Sequence, residues 1–140
     1  MIYLKEVDPK SEDHIFILFE ILNKRKYSIS HKEFNSIDEH TDFVRNHPYR
    51  KWLIVFKDKL AIGSIYCTYE NVLGINLIIH EINLYKELII KITSFISPLP
   101  PKPSIRNKKF TINVPPENNI LQQALSDLSA IPIQLTYLLN

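Results

Sequence analysis

Hydrophobic and polar residues alternate at the start of the chain and then change to a helical spacing. Alternation predicts a β-strand, whereas apolar residues three and four positions apart predict an amphipathic helix. Ser11 precedes two acidic residues and suits the N-cap of the first helix. Ser36 and Glu39 are the two ends of a capping box that starts a second helix. The pattern therefore predicts a strand at 2–7, a helix at 11–25, a loop with a short helical turn at 26–35 and a short helix at 36–44.

Three apolar segments in the middle of the chain are joined by links of about two residues. Links this short connect antiparallel strands, so the segments predict a β-meander. Pro115 and Pro116 are expected to open a helix, because proline is tolerated in a first helical turn. The remaining predictions are strands at 51–57, 60–69 and 72–79, a helix at 84–96, a stiff proline-rich connector at 97–104, a strand at 108–114, a helix from Pro115 through Leu128 and a strand at 131–139.

The order of these elements predicts a mixed α/β fold, a mostly antiparallel sheet flanked by helices, in a single domain spanning 1–140. The helix at 84–96 connects two strands as a crossover, and strands joined in this way are parallel in nearly all cases. We therefore expect 72–79 and 108–114 to be parallel neighbours that diverge. The last strand is apolar nearly throughout, and a sheet edge of that kind invites pairing with another chain. The sequence thus predicts association, with a homodimer as its simplest form.

Composition narrows the classes of function. The chain has 140 residues and a net charge of +2, which is too small to indicate nucleic-acid binding. Cys67 is the single cysteine, so no intrachain disulfide can form, which fits a reducing cytoplasm. The N-terminal residues lack a signal-peptide pattern, and no apolar run approaches a membrane span. We therefore expect a cytoplasmic protein that binds neither nucleic acid nor membrane.

Two long segments resemble a known family. The first is "SIDEHTDFVRNHPYRKWLIVFKDKLAIGSIYCTYENVLGINL" (36–77), and the second is "FTINVPPENNILQQALSDLSAIPIQLTYLL" (110–139). Both are similar to stretches of small bacterial members of the GNAT superfamily of acyl-CoA-dependent N-acyltransferases. The element order is similar as well, and together the segments cover most of the chain. The resemblance implies a GNAT fold and, if the protein is active, transfer of an acyl group from acetyl-CoA or another acyl-CoA to a small-molecule or protein amine.

The resemblance also places a cofactor site on this sequence. In the family, the strand matching 72–79 lies along the pantetheine arm of CoA, which assigns cofactor contacts here to Asn76, Leu77 and Ile79. The following loop cradles the diphosphate with a basic or amide residue, a glycine and a second small residue. Those positions hold His80, Asn83 and Tyr85 here. The loop therefore has the family's position in the chain but lacks the glycine and the second small residue that let the backbone approach a diphosphate. Asn83 could still take a left-handed conformation, and Asn118 matches an asparagine that commonly helps to hold the cofactor.

The acid that many relatives use against the departing thiolate is also absent. Its tyrosine position holds Leu125, which has no proton to give. The candidates for catalysis nearest the usual site are Tyr66, Glu70 and His40. A metal site at His40 and His47 would need more ligands, so none is expected.

Two of the candidate residues also suit purely structural roles. Cys67 has no base near it in the sequence and suits a packing role. His80 could contact a phosphate or could simply be a half-buried histidine at a strand end.

Two hypotheses about function therefore remain open. The first is a GNAT-type acetyltransferase with a divergent CoA site. The second is a non-catalytic GNAT-fold module that has lost CoA binding and instead binds a ligand or another protein. The sequence leaves open whether the protein is an enzyme.

Overall fold

The computed structural model describes residues 1–27 and 36–140. Most of the loop predicted at 26–35 lies outside these residues. In chain order the elements are β1 (Ile2–Glu6), α1 (Glu12–Lys24), α2 (Ile37–Arg45), β2 (Lys51–Lys57), β3 (Leu60–Cys67), β4 (Val72–Leu77), α3 (Ile82–Phe95), β5 (Thr111–Ile112) and α4 (Asn119–Asp127).

The strands form one sheet in the order β1-β2-β3-β4-β5. The pairs from β1 to β4 are antiparallel, and β5 runs parallel to β4. The predicted meander and the parallel crossover strand are therefore confirmed, and with them the mixed α/β fold class. Tight links join β2 to β3 and β3 to β4 as antiparallel pairs, whereas the crossover through α3 returns the chain in the parallel sense.

Helices cover both faces of the sheet, so consecutive residues of the central strands β2 and β3 are buried. Leu53 and Val55 of β2 join a core with α3 and α4. Trp52 and Ile54 of the same strand point to the opposite face and pack with α1 and α2. The result is a three-layer arrangement in which α3 and α4 lie beside the carboxyl end of β4.

Both predicted N-caps are present. The Ser11 hydroxyl accepts the backbone N–H of His14 at 3.2 Å, and the Ser36 hydroxyl accepts that of Glu39 at 3.1 Å. Each satisfies a backbone donor that the first turn of a helix leaves free. Local rules thus place α1 and α2 within a residue or two of their predicted starts.

Three predictions in the last third of the chain need correction. The strand predicted at 108–114 shortens to the two residues of β5. The last helix does not open at the prolines, because Asn118 caps it by accepting the backbone N–H of Leu121 at 3.1 Å. The strand predicted at 131–139 is absent, and every residue from 131 to 140 is exposed. A strand needs a neighbour to pair with, and this segment pairs with no strand among residues 1–27 and 36–140.

In the ranges that the structure describes, no helix combines the length and the apolar character needed to cross a bilayer. The same ranges contain no group of three or more His, Cys, Asp or Glu side chains that could hold a metal ion.

Candidate cofactor site

Strands β4 and β5 are neighbours for only two residues. Val72 pairs with Thr111, and Leu73 pairs with Ile112. Beyond that point β4 continues to Leu77 without β5 beside it. The separation opens a wedge-shaped gap at the carboxyl end of β4, where the resemblance places the pantetheine arm.

The gap is lined by several of the residues that the sequence singled out. Asn76, Leu77, His80 and Asn118 meet there, together with Tyr27 and Tyr85. Ile79 packs at the edge of the core next to this gap. The space left between these side chains is about 10 Å³, roughly the volume that a single water needs. A cofactor arm therefore fits this gap only if the side chains that line it move.

Tyr85 is the residue that fills the gap. Its side chain is only 1% exposed, and its hydroxyl oxygen lies 2.9 Å from Nδ1 of His80. The side-chain amide of Asn118 donates to the same hydroxyl at 3.3 Å. Asn118 donates a hydrogen bond to the Tyr85 oxygen, and the Tyr85 O–H is available to donate to Nδ1 of His80 in the tautomer that carries its proton on Nε2.

The electrostatics of this chain of hydrogen bonds favour neutral groups. Burial raises the pKa of Tyr85, against the opposing effect of the hydrogen bond from Asn118. Burial lowers the pKa of His80, and the nearby charge of Lys26 lowers it further. His80 is therefore neutral at neutral pH and presents no positive charge to a phosphate.

The start of α3 also differs from a phosphate cradle. The helix begins at Ile82, two residues earlier than predicted, and Glu81 occupies the N-cap position without a side-chain hydrogen bond to the helix. Asn83 lies inside the first turn and is absent from the residues with positive φ, so its expected left-handed conformation is wrong. It faces a shallow groove beside Met1 and Lys86 instead of the gap. A carboxylate at the helix start repels an anion, so these residues do not fit a diphosphate.

Tyr85 also lies where the sequence did not place it. Its ring was expected at the diphosphate position, outside the core. Because α3 starts early, the ring instead turns inward and joins the core cluster with Leu77 and Leu88. The ring therefore occupies the gap along β4.

The three candidate catalytic side chains lie away from the gap, and none of them lines it. Tyr66 packs with the cluster on the α1 and α2 face, where its ring stacks on that of Tyr49 with the ring centroids 4.1 Å apart. Glu70 is exposed in the turn between β3 and β4. His40 is 2% exposed and its Nε2–H donates to the carbonyl oxygen of Ile15 at 3.0 Å. These three residues do not form one catalytic group.

Two further side chains have roles consistent with packing. Cys67 is 1% exposed, and burial raises the pKa of its thiol, which keeps the sulfur protonated. The ring of His47 packs edge-on against Trp52, with centroids 5.2 Å apart.

Two residues that the sequence did not single out make contacts that position the elements around the gap. Tyr27 packs its ring edge-on against His80, with centroids 5.0 Å apart. No local pattern marks Tyr27, because it lies just beyond the end of α1. Asn71 is fully buried at a φ of 63°, and its side chain bonds Leu99 and Asn107 in the connector that leads to β5. Its place in a short turn was visible in the sequence, but its distant partners were not.

Comparisons with known proteins agree with this architecture. No protein-family model matches the chain, and no curated protein matches it in sequence. Among solved structures, it is similar to a possible acetyltransferase from Clostridium difficile 630, with 14% identity and a TM-score of 0.56. It is also similar to AAC(6')-Iy in complex with the bisubstrate analog CoA-S-monomethyl-acetylneamine, with 12% identity and a TM-score of 0.60. Both matches cover 100% of this chain and 97% of the other.

At this level of identity, the similarity establishes the fold, while the activity must be argued from the site. The neighbours have the GNAT fold, with which the five-stranded mixed sheet and the four helices of this chain agree. The fold that the sequence resemblance implied is therefore confirmed. The chain therefore has the fold of the GNAT superfamily of acyl-CoA N-acyltransferases.

Proposed function

We propose that this protein is a GNAT-fold module that does not use CoA and acts as a non-catalytic binding or interaction protein. The observation that carries the proposal is the buried Tyr85 ring in the gap where β4 and β5 separate. In the superfamily, that gap holds the pantetheine arm of the cofactor. Here it is filled by the protein's own side chain.

The hydrogen bonds around Tyr85 support a stable closure. Asn118 and His80 both engage its hydroxyl, although the resemblance assigns both of them to the cofactor. Moving the ring out would remove this partner from the side-chain amide nitrogen of buried Asn118 and from Nδ1 of half-buried His80, at a free-energy cost of roughly 1–3 kcal/mol for each group left unsatisfied. CoA would have to provide that free energy before any net binding appeared.

The entrance to the gap supports the same conclusion. Glu81 and Glu87 are exposed at and near the start of α3, where the diphosphate would approach. Their negative charges oppose an anion that the helix dipole attracts by only about 0.3–1 kcal/mol. Arg25 also lines the gap and supplies one positive charge there. His80 contributes no compensating charge at neutral pH.

A second candidate is a GNAT-type N-acyltransferase in which Tyr85 moves aside for acetyl-CoA and an amine acceptor. Its support is the similarity to two solved proteins, one described as a possible acetyltransferase and one bound to an analog that contains CoA. This candidate requires an open conformation of the gap and a catalytic group within reach of it. Tyr66, Glu70 and His40 would each need to act from outside the present lining.

Removal of the Tyr85 ring separates these candidates. Thermal unfolding is measured with and without about 1 mM CoA. For a dissociation constant of about 10 μM, this concentration is about a hundred times the constant, and binding appears as about 2–3 kcal/mol of stabilisation. We expect no stabilisation of the unchanged protein and a clear upward shift for Tyr85→Ala. The matched control is Leu88→Ala, which removes a fully buried side chain one turn later on α3. It weakens the fold in a similar way but leaves the gap filled.

Each outcome decides between the candidates. Stabilisation of the unchanged protein by CoA would reject the proposal in favour of the acyltransferase. If Tyr85→Ala and Leu88→Ala both fail to respond, closure by Tyr85 is not what excludes the cofactor. A replacement of Asn83 is not needed in this test, because Asn83 does not line the gap.

A further inference from the structure

The connector between α3 and β5 displays prolines that the fold does not bury. It reads "SPLPPKPS" over 97–104 and contains two overlapping pairs of prolines three positions apart, Pro98 with Pro101 and Pro100 with Pro103. All four proline side chains are exposed, so burial in this chain does not explain them. Proline fixes φ near about −65° and restricts the residue before it to an extended conformation. A segment of this composition favours the polyproline II helix.

Hydrogen bonds from the body of the protein hold the connector in place. The side chain of Asn71 donates to the carbonyl oxygen of Leu99 and accepts its N–H, each at 2.8 Å. The guanidinium of Arg106 donates to the carbonyl oxygen of Pro100 at 2.6 Å through Nε and to that of Tyr69 at 2.9 Å through Nη1. These bonds occupy backbone groups and leave the proline rings outside. A partner that binds the rings therefore meets an ordered segment, which lowers the entropy cost of binding.

Positive charge is concentrated around the prolines. No aspartate or glutamate occurs between Glu87 and Glu117. Five basic residues occur there: Lys91, Lys102, Arg106, Lys108 and Lys109. The whole chain carries only +2, so this part of it is more positive than the rest. Lys102 follows Pro101 directly and is exposed. A partner for this surface therefore needs acidic groups beside its apolar contact area.

We propose that the connector docks into a groove of another protein, lined by aromatic side chains and rimmed by acidic ones. Aromatic-lined grooves bind segments whose prolines are three positions apart. A polyproline II helix has three residues per turn, so Pro98 and Pro101 share one face. Pro100 and Pro103 share another, but the chain turns directly after them at Ser104, whose φ is 64°. The pair Pro98 and Pro101 is therefore the one that enters the groove. The proposal does not depend on whether CoA enters the gap beside β4.

Titration calorimetry of the full chain with purified SH3 domains tests the docking. The probes are a set of SH3 domains with acidic residues at the rim of an aromatic groove. We expect a dissociation constant of about 100 μM or lower for at least one of them, as for a small and transient interface. The same domain with its groove tryptophan replaced by alanine is the control probe and should not bind. If no domain of the set binds at up to about 1 mM, the proposal is overturned.

Two matched variants locate the contact on the connector. Pro98→Ala with Pro101→Ala removes the pair assigned to the groove and should weaken binding at least about tenfold. The control Pro100→Ala with Pro103→Ala removes as many rings and as much backbone restraint, and should weaken binding less than about threefold. Because all four rings are exposed, both variants should keep the fold, which circular dichroism checks. Equal losses in the two variants would reject the assigned face, since only stiffness would then matter.

A charge reversal separates docking from a general attraction of anions. Lys102→Glu should weaken binding by about threefold to tenfold, because it places a like charge against the acidic rim. The matched control is Lys91→Glu on α3, in the groove beside Met1, and it should leave binding unchanged. If Lys102→Glu weakens binding while loss of Pro98 and Pro101 has no effect, the surface attracts anions without reading the prolines, and the proposal fails.

Discussion

Asn71 should be among the most sensitive positions for stability, although it lies in a two-residue turn. Its side chain is fully buried. The amide nitrogen donates to the carbonyl of Leu99 at 2.8 Å and to that of Asn107 at 2.9 Å, and the amide oxygen accepts the N–H of Leu99 at 2.8 Å. These bonds tie both ends of the connector to the start of β4, next to the pairing with β5.

The expected loss follows from those three bonds. Asn71→Ala removes all of them, at roughly 0.5–1.5 kcal/mol each. Alanine also fits poorly at the φ of 63° that asparagine tolerates, which adds about 1 kcal/mol. The free energy of unfolding should therefore fall by about 2.5–5.5 kcal/mol, a large share of the roughly 5–15 kcal/mol typical of a domain.

Urea unfolding followed by circular dichroism measures this change, and a second variant separates its two causes. Asn71→Gly loses the same hydrogen bonds but accepts the left-handed backbone, so it should be about 1 kcal/mol less destabilised than Asn71→Ala. If Asn71→Ala lowers the free energy of unfolding by less than about 1 kcal/mol, the three bonds do not hold the connector in solution.

Two further predictions concern packing and pH. A Cβ at Gly74 would overlap the ring of Tyr66, so Gly74→Ala should destabilise by about 1–3 kcal/mol, and much less when Tyr66→Ser is also present; equal losses in both backgrounds would remove the explanation. Burial lowers the pKa of His40, His47 and His80, with the charge of Lys26 adding to the effect at His80. The unfolded chain then binds more protons below about pH 6.5, so stability is fully present above that pH and falls as the pH drops toward the folded pKa values. His40→Gln should flatten the decline measured by urea unfolding between pH 7.5 and 5, and an unchanged slope would exclude His40 as a contributor.

The elements that the sequence predicted well depend on local rules. Ser11 and Ser36 mark helix starts through bonds to residues three positions away, and the meander follows from links too short for any other connection. Residues 131–139 show an equally clear alternation of apolar and polar side chains, yet they form no strand in the described structure. The strand prediction failed because pairing depends on a neighbour that the sequence of one molecule does not locate.

The site was predicted by position better than by geometry. Asn76, Leu77, His80 and Asn118 line one gap, and their assignment to a cofactor stays a prediction. The inward turn of Tyr85 was not foreseen, since it depends on α3 starting at Ile82 and on a hydrogen bond to a residue 33 positions away. The hydrogen-bond partners of Asn71 lie 28 and 36 positions away in the sequence, so no local pattern could predict them. Contacts over such separations are set by how the layers pack.

The central claim is that Tyr85 closes the CoA site, and calorimetric titration of acetyl-CoA into the unchanged protein tests it most directly. We expect no saturable heat up to about 1 mM ligand, which corresponds to a binding free energy weaker than about −4 kcal/mol. A dissociation constant in the low micromolar range, near −8 kcal/mol, would contradict the account and favour an acyltransferase.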